Sequence, residues 1–299
     1  MTTFKRVFSA VVAILLVLLL YGAVIEPRLF LDTEEVVAPI PDLPEEWDRQ
    51  VVAAVADFQI GMWWANRGMM ERALEEIIER RPAAVLLVGD FIYHPGEKLP
   101  QLVQEVEELL QPLAAARIPT FAVLGNHDWA VNVRNGTINP EAAREVSDAL
   151  AGLGIEVLNN RTVTLQRSAG RQPLYLVGIG SAWADDDRVS VALEGVPDGA
   201  ARVVFMHNPD TFAEIPAGAA PLGVAAHTHG GQIRVPSMPE WSWMALLQNE
   251  RVHADGWIDG YGAPGNRLYV NRGIGFSTIP MRIFCPPEVT FFTLRRAPS

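Results

Sequence analysis

Short apolar runs punctuated by glycine or a polar residue recur along the chain. VVAAVA (51–56), AVLLVG (84–89), TFAVLG (120–125), LYLVGIG (174–180), RVVFM (202–206) and LGVAAH (222–227) are too short for helices. They are rich enough in β-branched and apolar residues to predict buried strands. Between the earlier runs, apolar residues fall at helical spacing over 67–81, 99–117 and 140–153, which predicts amphipathic helices there. Strands alternating with helices early and more purely β-like segments later predict an α/β sandwich with the helices outside. No internal repeat is present.

The N-terminus follows a different pattern. After Lys5 and Arg6 comes an uncharged run over 7–25, VFSAVVAILLVLLLYGAVI, long enough to cross most of a bilayer. It exceeds a typical signal-peptide core of about 7 to 15 residues. No A-x-A site precedes Glu26-Pro27-Arg28, so an uncleaved anchor is favoured over a cleaved leader. Residues 1–6 would then be a short cytoplasmic stretch and 7–25 a transmembrane anchor. The Pro- and acid-rich stretch 26–48 reads as a semi-rigid spacer, and 49–299 as the functional domain. Positive charge before the span places that domain outside the cytoplasm.

The chain has 299 residues with a formal net charge of −11, so a nucleic-acid duplex is not an expected partner. Its one cysteine, Cys285, excludes an intrachain disulfide and reads as a small buried residue. Greater weight falls on the polar residues that end the predicted strands. These are Asp57 and Gln59, Asp90, Asn126 with His127 and Asp128, His207, and the pair His227 and His229. Each alone has a bland explanation as a turn, a cap or a satisfied core histidine. Together they place ligand-type groups at the carboxyl ends of five strands, where α/β sheets gather their ligands. His227 and His229 share a face if extended, a common metal-binding arrangement.

This order of motifs resembles the calcineurin-like metallophosphoesterases, whose signature runs D-x-H, GD, GNH[DE], H, GHxH. Here it stands as Asp57-Phe58-Gln59, Gly89-Asp90, Gly125-Asn126-His127-Asp128, His207 and Ala226-His227-Thr228-His229. The stretches from His229 to Ile233, Val270 to Gly275 and Arg282 to Glu288 look like those of a membrane-anchored bacterial branch. The resemblance implies a four-layer α/β/β/α sandwich preceded by the transmembrane helix. It also implies a single-pass protein of the bacterial inner membrane, for which the charge before the span puts the catalytic domain on the outer side, although some members with one N-terminal span work at the inner leaflet.

It implies two divalent cations as well. Asp57, Gln59, Asp90 and His229 would hold one, and Asp90, Asn126, His207 and His227 the other. Two such ions roughly 3.5 to 4 Å apart activate water and neutralise charge on a phosphoryl group. His127 would serve the leaving oxygen, with Asp128 orienting its ring. Gln59 stands where the family has histidine. Its amide oxygen is a harder donor, which leans the first site toward Mn²⁺ or Mg²⁺ over Zn²⁺ or iron. Ala226 for glycine is harmless if φ there is negative.

The implied activity is hydrolysis of a phosphodiester or pyrophosphate, with a lipid-linked substrate as the first expectation. The alternatives are a phosphomonoesterase acting on small soluble esters and a non-catalytic member that only binds phosphorylated ligands. The loops after the first and last motifs hold Trp63, Trp64, Trp241 and Trp243, four of the eight tryptophans. Either they pack internally or they form an apolar rim toward lipid. His94, Arg234 and Arg272 are weaker candidates, each with a structural explanation available, and His253 has no motif around it.

Overall fold

Alternate residues of the central strands face two different cores. Val52, Ala54, Leu86 and Val88 are buried against Leu176, Val203, Phe205 and Val224, whereas Ala53, Val55, Val85 and Leu87 pack against helices. Such two-sided burial is what near-continuous apolar runs, rather than alternating ones, predict.

The computed structural model describes residues 3–167, 172–248 and 254–297. It begins with helix α1 (Thr3–Leu20), a π-helical turn over Tyr21–Ile25 and α2 (Glu26–Leu29). Then follow β1 (Asp32–Ile40), β2 (Val51–Val55), α3 (Arg67–Arg80), β3 (Ala84–Leu87), α4 (Leu99–Ala115), β4 (Thr120–Ala122), α5 (Pro140–Gly152) and β5 (Glu156–Val157). The second half runs β6 (Arg161–Leu165), β7 (Leu174–Ile179), α6 (Val189–Ala192), β8 (Arg202–Met206) and β9 (Gly223–Ala225). A hairpin of β10 (Arg234–Val235) and β11 (Met238–Ser242) leads to α7 (Trp243–Gln248), β12 (Gly256–Ile258), β13 (Leu268–Val270) and β14 (Glu288–Arg296).

Two six-stranded sheets result, in the orders β1-β14-β2-β3-β4-β5 and β12-β13-β9-β8-β7-β6. Strands β2 to β5 are parallel, as are β7, β8, β9 and β13. Helices α3, α4 and α5 cover the outer face of the first sheet. The outer face of the second is covered by thinner material, α6 and a 3₁₀ segment over Pro209–Glu214 whose Phe212 is fully buried. The four-layer α/β/β/α architecture is therefore present, with a slight fourth layer. Helix boundaries follow local chemistry. Asn139 caps α5 by accepting from Glu141 N and Ala142 N, and Arg81 ends α3 in a left-handed conformation at φ 47°.

The stretch 26–48 is a correction to the spacer reading. Strand β1 runs parallel to β14 from Asp32 opposite Glu288 to Ile40 opposite Arg296, closing the edge of the first sheet. Ala38, Ile40, Leu43 and Trp47 are buried in the inter-sheet core. Proline and acid content resembled a linker because the acids serve a purpose. Asp32 and Glu34 form ion pairs with Arg272, whose side chain is largely buried, and Arg272 also meets Asp255 and Glu288. Arg234 likewise pairs with Asp255. Both arginines are thus committed to structure.

Burial of side chains such as Ile40 and Leu43 stabilises by about 1.5–3 kcal/mol each. A chain shortened to begin at Arg49 is therefore expected to unfold at clearly lower urea concentration than one beginning at Phe30, and to aggregate through the bared edge of β14. Equal urea midpoints and equal monodispersity on size exclusion would refute this role for β1.

Candidate metal centre

Every polar residue singled out at a strand end lies at one edge of the sandwich, although not of one sheet. Asp57 and Gln59 follow β2, Asp90 follows β3 and Asn126 follows β4, all in the first sheet. His207 follows β8, and His227 and His229 follow β9, in the second. The site thus sits where the carboxyl ends of two sheets face each other.

Two groups of ligand-type atoms form there, Asp57–Asp90–His229 and Asp90–His207–His227, each with its atoms within 4.8 Å of one another. Asp90 belongs to both. Its Oδ2 lies 3.2 Å from His207 Nε2 and 2.8 Å from Gln59 Nε2, while Oδ1 accepts from His127 N at 2.9 Å. Asp57 Oδ1 stands 4.0 Å from His207 Nε2 and 3.9 Å from His229 Nε2.

The backbone bends hard to achieve this. Asp57, Gln59, Asp90, His227 and His229 all have φ between 48° and 72°, a region that costs non-glycine residues about 1–3 kcal/mol each. Gly89, at φ 88°, and Gly125 make the closest approach. A Cβ on Gly89 would lie 2.8 Å from His207 Nδ1, and one on Gly125 would collide with Asp90 Oδ1. Ala226 has no positive φ, so the methyl group that replaces a glycine hydrogen is accommodated.

The donor set fits divalent cations. His207 donates from Nδ1 to Val88 O at 2.8 Å, which presents a bare Nε2 to two carboxylates. Asn126 donates from Nδ2 to Val131 O at 2.7 Å, leaving its buried Oδ1 without a partner. Among the described residues both oxygens of Asp57 and Gln59 Oε1 likewise lack a side-chain donor, and His207 Nε2 faces only carboxylates. A cluster of acceptors with no donor among them is costly unless cations or protons supply positive charge.

The proton affinities express the same demand. Burial pushes Asp57 up to about 7. Burial would also raise Asp90, but the neighbouring histidines, His207 first, hold it well below the ordinary carboxylate range. Against the effect of its own burial, Asp90 and Asp57 lift His207 to about 9. Burial and the charge on His207 press His227 down to about 3.

Gln59 lies within the first group, its Nε2 3.4 Å from His229 Nε2. Oxygen and nitrogen of an amide are assigned from hydrogen bonding rather than seen. A half-turn of this side chain would put Oε1 toward Asp90 and His229, where a cation shared by them would be met.

His127 and Asp128 separate from one another, correcting the expectation that the acid orients the ring. In the 3₁₀ turn over His127–Trp129 the two side chains diverge. Asp128 accepts backbone N–H groups from Asp90 (3.0 Å), Phe91 (2.8 Å), Ile92 (3.2 Å) and Gly125 (2.8 Å), binding two ligand loops together. The His127 ring is held instead by Asn132, whose Oδ1 lies 3.0 Å from Nδ1, which leaves Nε2 free. Tyr93 and His94 pack on that ring at centroid distances of 4.8 and 5.5 Å. Trp183 packs edge-on against His227 at 4.5 Å. Asn132, Tyr93 and Trp183 belong to no motif, and the one sequence signal was a polar residue shortly after GNHD. His253 lies outside the described residues.

Of the four tryptophans, Trp63, Trp64 and Trp241 are exposed and Trp243 is half-buried at the start of α7. Trp64 lies under the Arg28 guanidinium at 4.3 Å, beside the end of the N-terminal helix.

Comparison with known proteins agrees with this geometry. The calcineurin-like phosphoesterase family model matches residues 51–231. Phosphodiesterase YaeI of Escherichia coli is 33% identical over 218 residues, covering 73% of this chain and 72% of that one. An uncharacterized metallophosphoesterase of Bacillus subtilis, YkuE, is 24% identical and covers 92% of this chain and 89% of its own. The UDP-2,3-diacylglucosamine pyrophosphatase LpxG of Chlamydia trachomatis is 24% identical, covering 74% and 76%. A match across more than half the chain, together with strand-end carboxylates and histidines in the order that the family signature predicts, places this protein among the calcineurin-like phosphoesterases, which are metal-dependent hydrolases.

Proposed function

We propose that this phosphoesterase is held on a membrane by its N-terminal helix and cleaves phosphodiester or pyrophosphate bonds in a lipid-linked substrate. The observation that carries the reaction class is the pair of overlapping ligand groups sharing Asp90, with the free Nε2 of His127 beside them. Asp57, Gln59, Asp90 and His229 hold one divalent cation, and Asp90, Asn126, His207 and His227 the other, with Mn²⁺ suited to the oxygen-rich first set. When bound, such a pair orients a phosphoryl group and neutralises its developing charge.

The chain's own residues do the rest. Val88 O and Asn132 Oδ1 fix the tautomers of His207 and His127. As water adds to phosphorus and the ester P–O bond breaks, His127 passes a proton from Nε2 to the leaving oxygen, the attacking water gives up a proton to solvent, and Nε2 is reprotonated from solvent. Burial lowers the pKa of His127, so the donating form is scarce at neutral pH and grows as pH falls. Cleavage that needs this proton should therefore slow as pH rises. A member that merely bound phosphorylated ligands would have no use for a nitrogen left free in this position.

The membrane reading rests on the helix and its surroundings. Residues 3–29 form a helix with mean hydropathy 2.8 over its best window, of which only 6% is buried. Lys5 and Arg6 in its first turn, ahead of the uncharged run, favour a single pass with the catalytic domain outside the cytoplasm. Trp63, Trp64 and Trp241 stand exposed on the body, and Arg28 links Trp64 to the end of the helix. Tryptophan prefers the bilayer interface, which would bring the metal centre within reach of a lipid head group. The diacylated substrate in the name of the LpxG relative accords with a lipid-linked ester.

Three outcomes are expected. His127→Ala should slow cleavage of alkyl phosphodiesters by ~10²–10⁴-fold, and of nitrophenyl esters much less, because only the poor leaving group needs the proton. Equal loss on both, read as kcat, would remove His127 from that role. Gln59→His should shift the metal that gives highest activity from Mn²⁺ toward Zn²⁺ or Fe²⁺. An unchanged metal ranking and unchanged metal content would show that Gln59 is no ligand. Replacing Trp63, Trp64 and Trp241 by serine in a chain begun after α1 should release the protein from anionic vesicles in a flotation assay, and undiminished flotation would sink the rim.

A further inference from the structure

The end of the apolar helix is built into the catalytic body at a specific place. Glu26, 1% exposed, accepts the backbone N–H groups of Phe284 at 2.8 Å and Cys285 at 2.5 Å. One turn earlier, Gly22 O accepts from Arg282 N at 2.8 Å, and a Cβ on Gly22 would collide with Ile283. On the other side Asn66 donates to Pro27 O at 2.6 Å, and Arg28 donates to Trp64 O at 2.9 Å. A carboxylate buried at the mouth of a membrane helix is costly, and these two amides meet that cost only while the helix end stays docked on 282–285.

From the same loop Arg282 reaches inward. Its guanidinium is fully buried, and among the described residues it has no ion pair. It spends its donors on carbonyls instead: Gly275 O at 3.0 and 2.8 Å, Arg272 O at 2.8 Å, Cys285 O at 3.2 Å and His229 O at 3.3 Å. Gly275 in turn donates to Asp57 O at 2.7 Å, and Ile274 to Ala56 O at 3.0 Å. Cys285 Sγ lies 3.3 Å from the carbonyls of both His229 and Gly230. One planar fork therefore ties together the backbone segments that carry Asp57 and His229.

These are ligands of one group and not of the other. In the second group His207 is held by Val88 O, and Asp90 by the loops that Asp128 binds. The coupling from the helix end is accordingly one-sided.

We infer that Glu26 and Arg282 are positioning residues for the cation site of Asp57, Gln59, Asp90 and His229, so that docking of the anchor's end onto 282–285 sets the affinity of that site alone. The inference rests on the two-cation reading above. It makes the membrane-proximal turn of the anchor a working part of the metal centre as well as a tether. Release of that turn would leave a protein that holds one cation where it had held two.

The test uses the full chain in detergent micelles, with Mn²⁺ titrated calorimetrically into metal-free protein and bound Mn²⁺ counted after desalting. The wild type should bind two ions. Glu26→Ala should weaken one of them ~10–100-fold, as loss of supporting contacts to ligands does, and leave the other unchanged. Glu26→Gln, which keeps an acceptor oxygen, should recover part of the loss. Gly22→Val leaves Glu26 in place but wedges the helix end away from Ile283, and should reproduce the loss should Glu26→Ala fail to fold. Equal weakening of both ions, or two unchanged affinities beside a lowered urea midpoint, would overturn the coupling and reduce these contacts to fold stability. Ester hydrolysis measured on the same samples decides the enzymatic reading separately, since two-site binding and its loss are read without turnover.

Discussion

Three carboxylates, those of Asp57, Asp90 and Asp128, lie fully buried in one cluster of loops, and among the described residues Asp57 and Asp90 find ion-pair partners only in histidines. Removing an ion from water costs several kcal/mol even after relaxation. The three meet that cost differently. Asp128 takes four backbone N–H groups and so becomes the fastener between the loops after β3 and β4. Asp90 uses one oxygen on His127 N and turns the other to the cluster. Among the described residues Asp57 has no side-chain hydrogen-bond donor for either oxygen. This gradient from satisfied to unsatisfied is what a metal centre requires, because the first acid builds the loops and the last leaves its lone pairs for cations.

The same demand accounts for the local strain. Of the nineteen non-glycine residues with positive φ among the described residues, five carry their side chains to this one site. The left-handed residues after β2, β3 and β9 point side chains back across the sheet edge instead of onward into solvent. Two facing sheets then close the ring, with the first supplying acids and amides and the second supplying histidines.

Strands, helices and the polar residues that gather at the strand ends were legible because their signals are local. A buried parallel strand announces itself as a short apolar run, and Gly-Asp or Gly-Asn at its end marks the turn. Strand β1 was not legible. Its acids at Asp32 and Glu34 read as solvated until Arg272 and β14, from the far end of the chain, are brought beside them. Asp128 misled for a related reason. Adjacency to His127 suggested a side-chain partnership, but consecutive residues of a tight turn point apart, so the true partner, Asn132, comes from further along the loop. In each case the missing information was a contact between segments, which neither residue type nor spacing encodes.

The N-terminal helix completes this picture of dependence across distance. The chain enters the body through Glu26 and Pro27, whose surroundings are 282–285 and Asn66, and then forms the first strand of the sheet that carries Asp57. Its opposite end returns as β14 between β1 and β2, so the strand leading to Asp57 is paired with a segment that is itself paired with the entering chain. A mobile tether would need none of this. The end of the apolar helix lies two hydrogen-bonded steps from the His229 backbone, through Cys285, and the link is made by the buried carboxylate of Glu26. The end of the apolar helix and the backbone that carries Asp57 and His229 are thus joined by one continuous set of buried contacts.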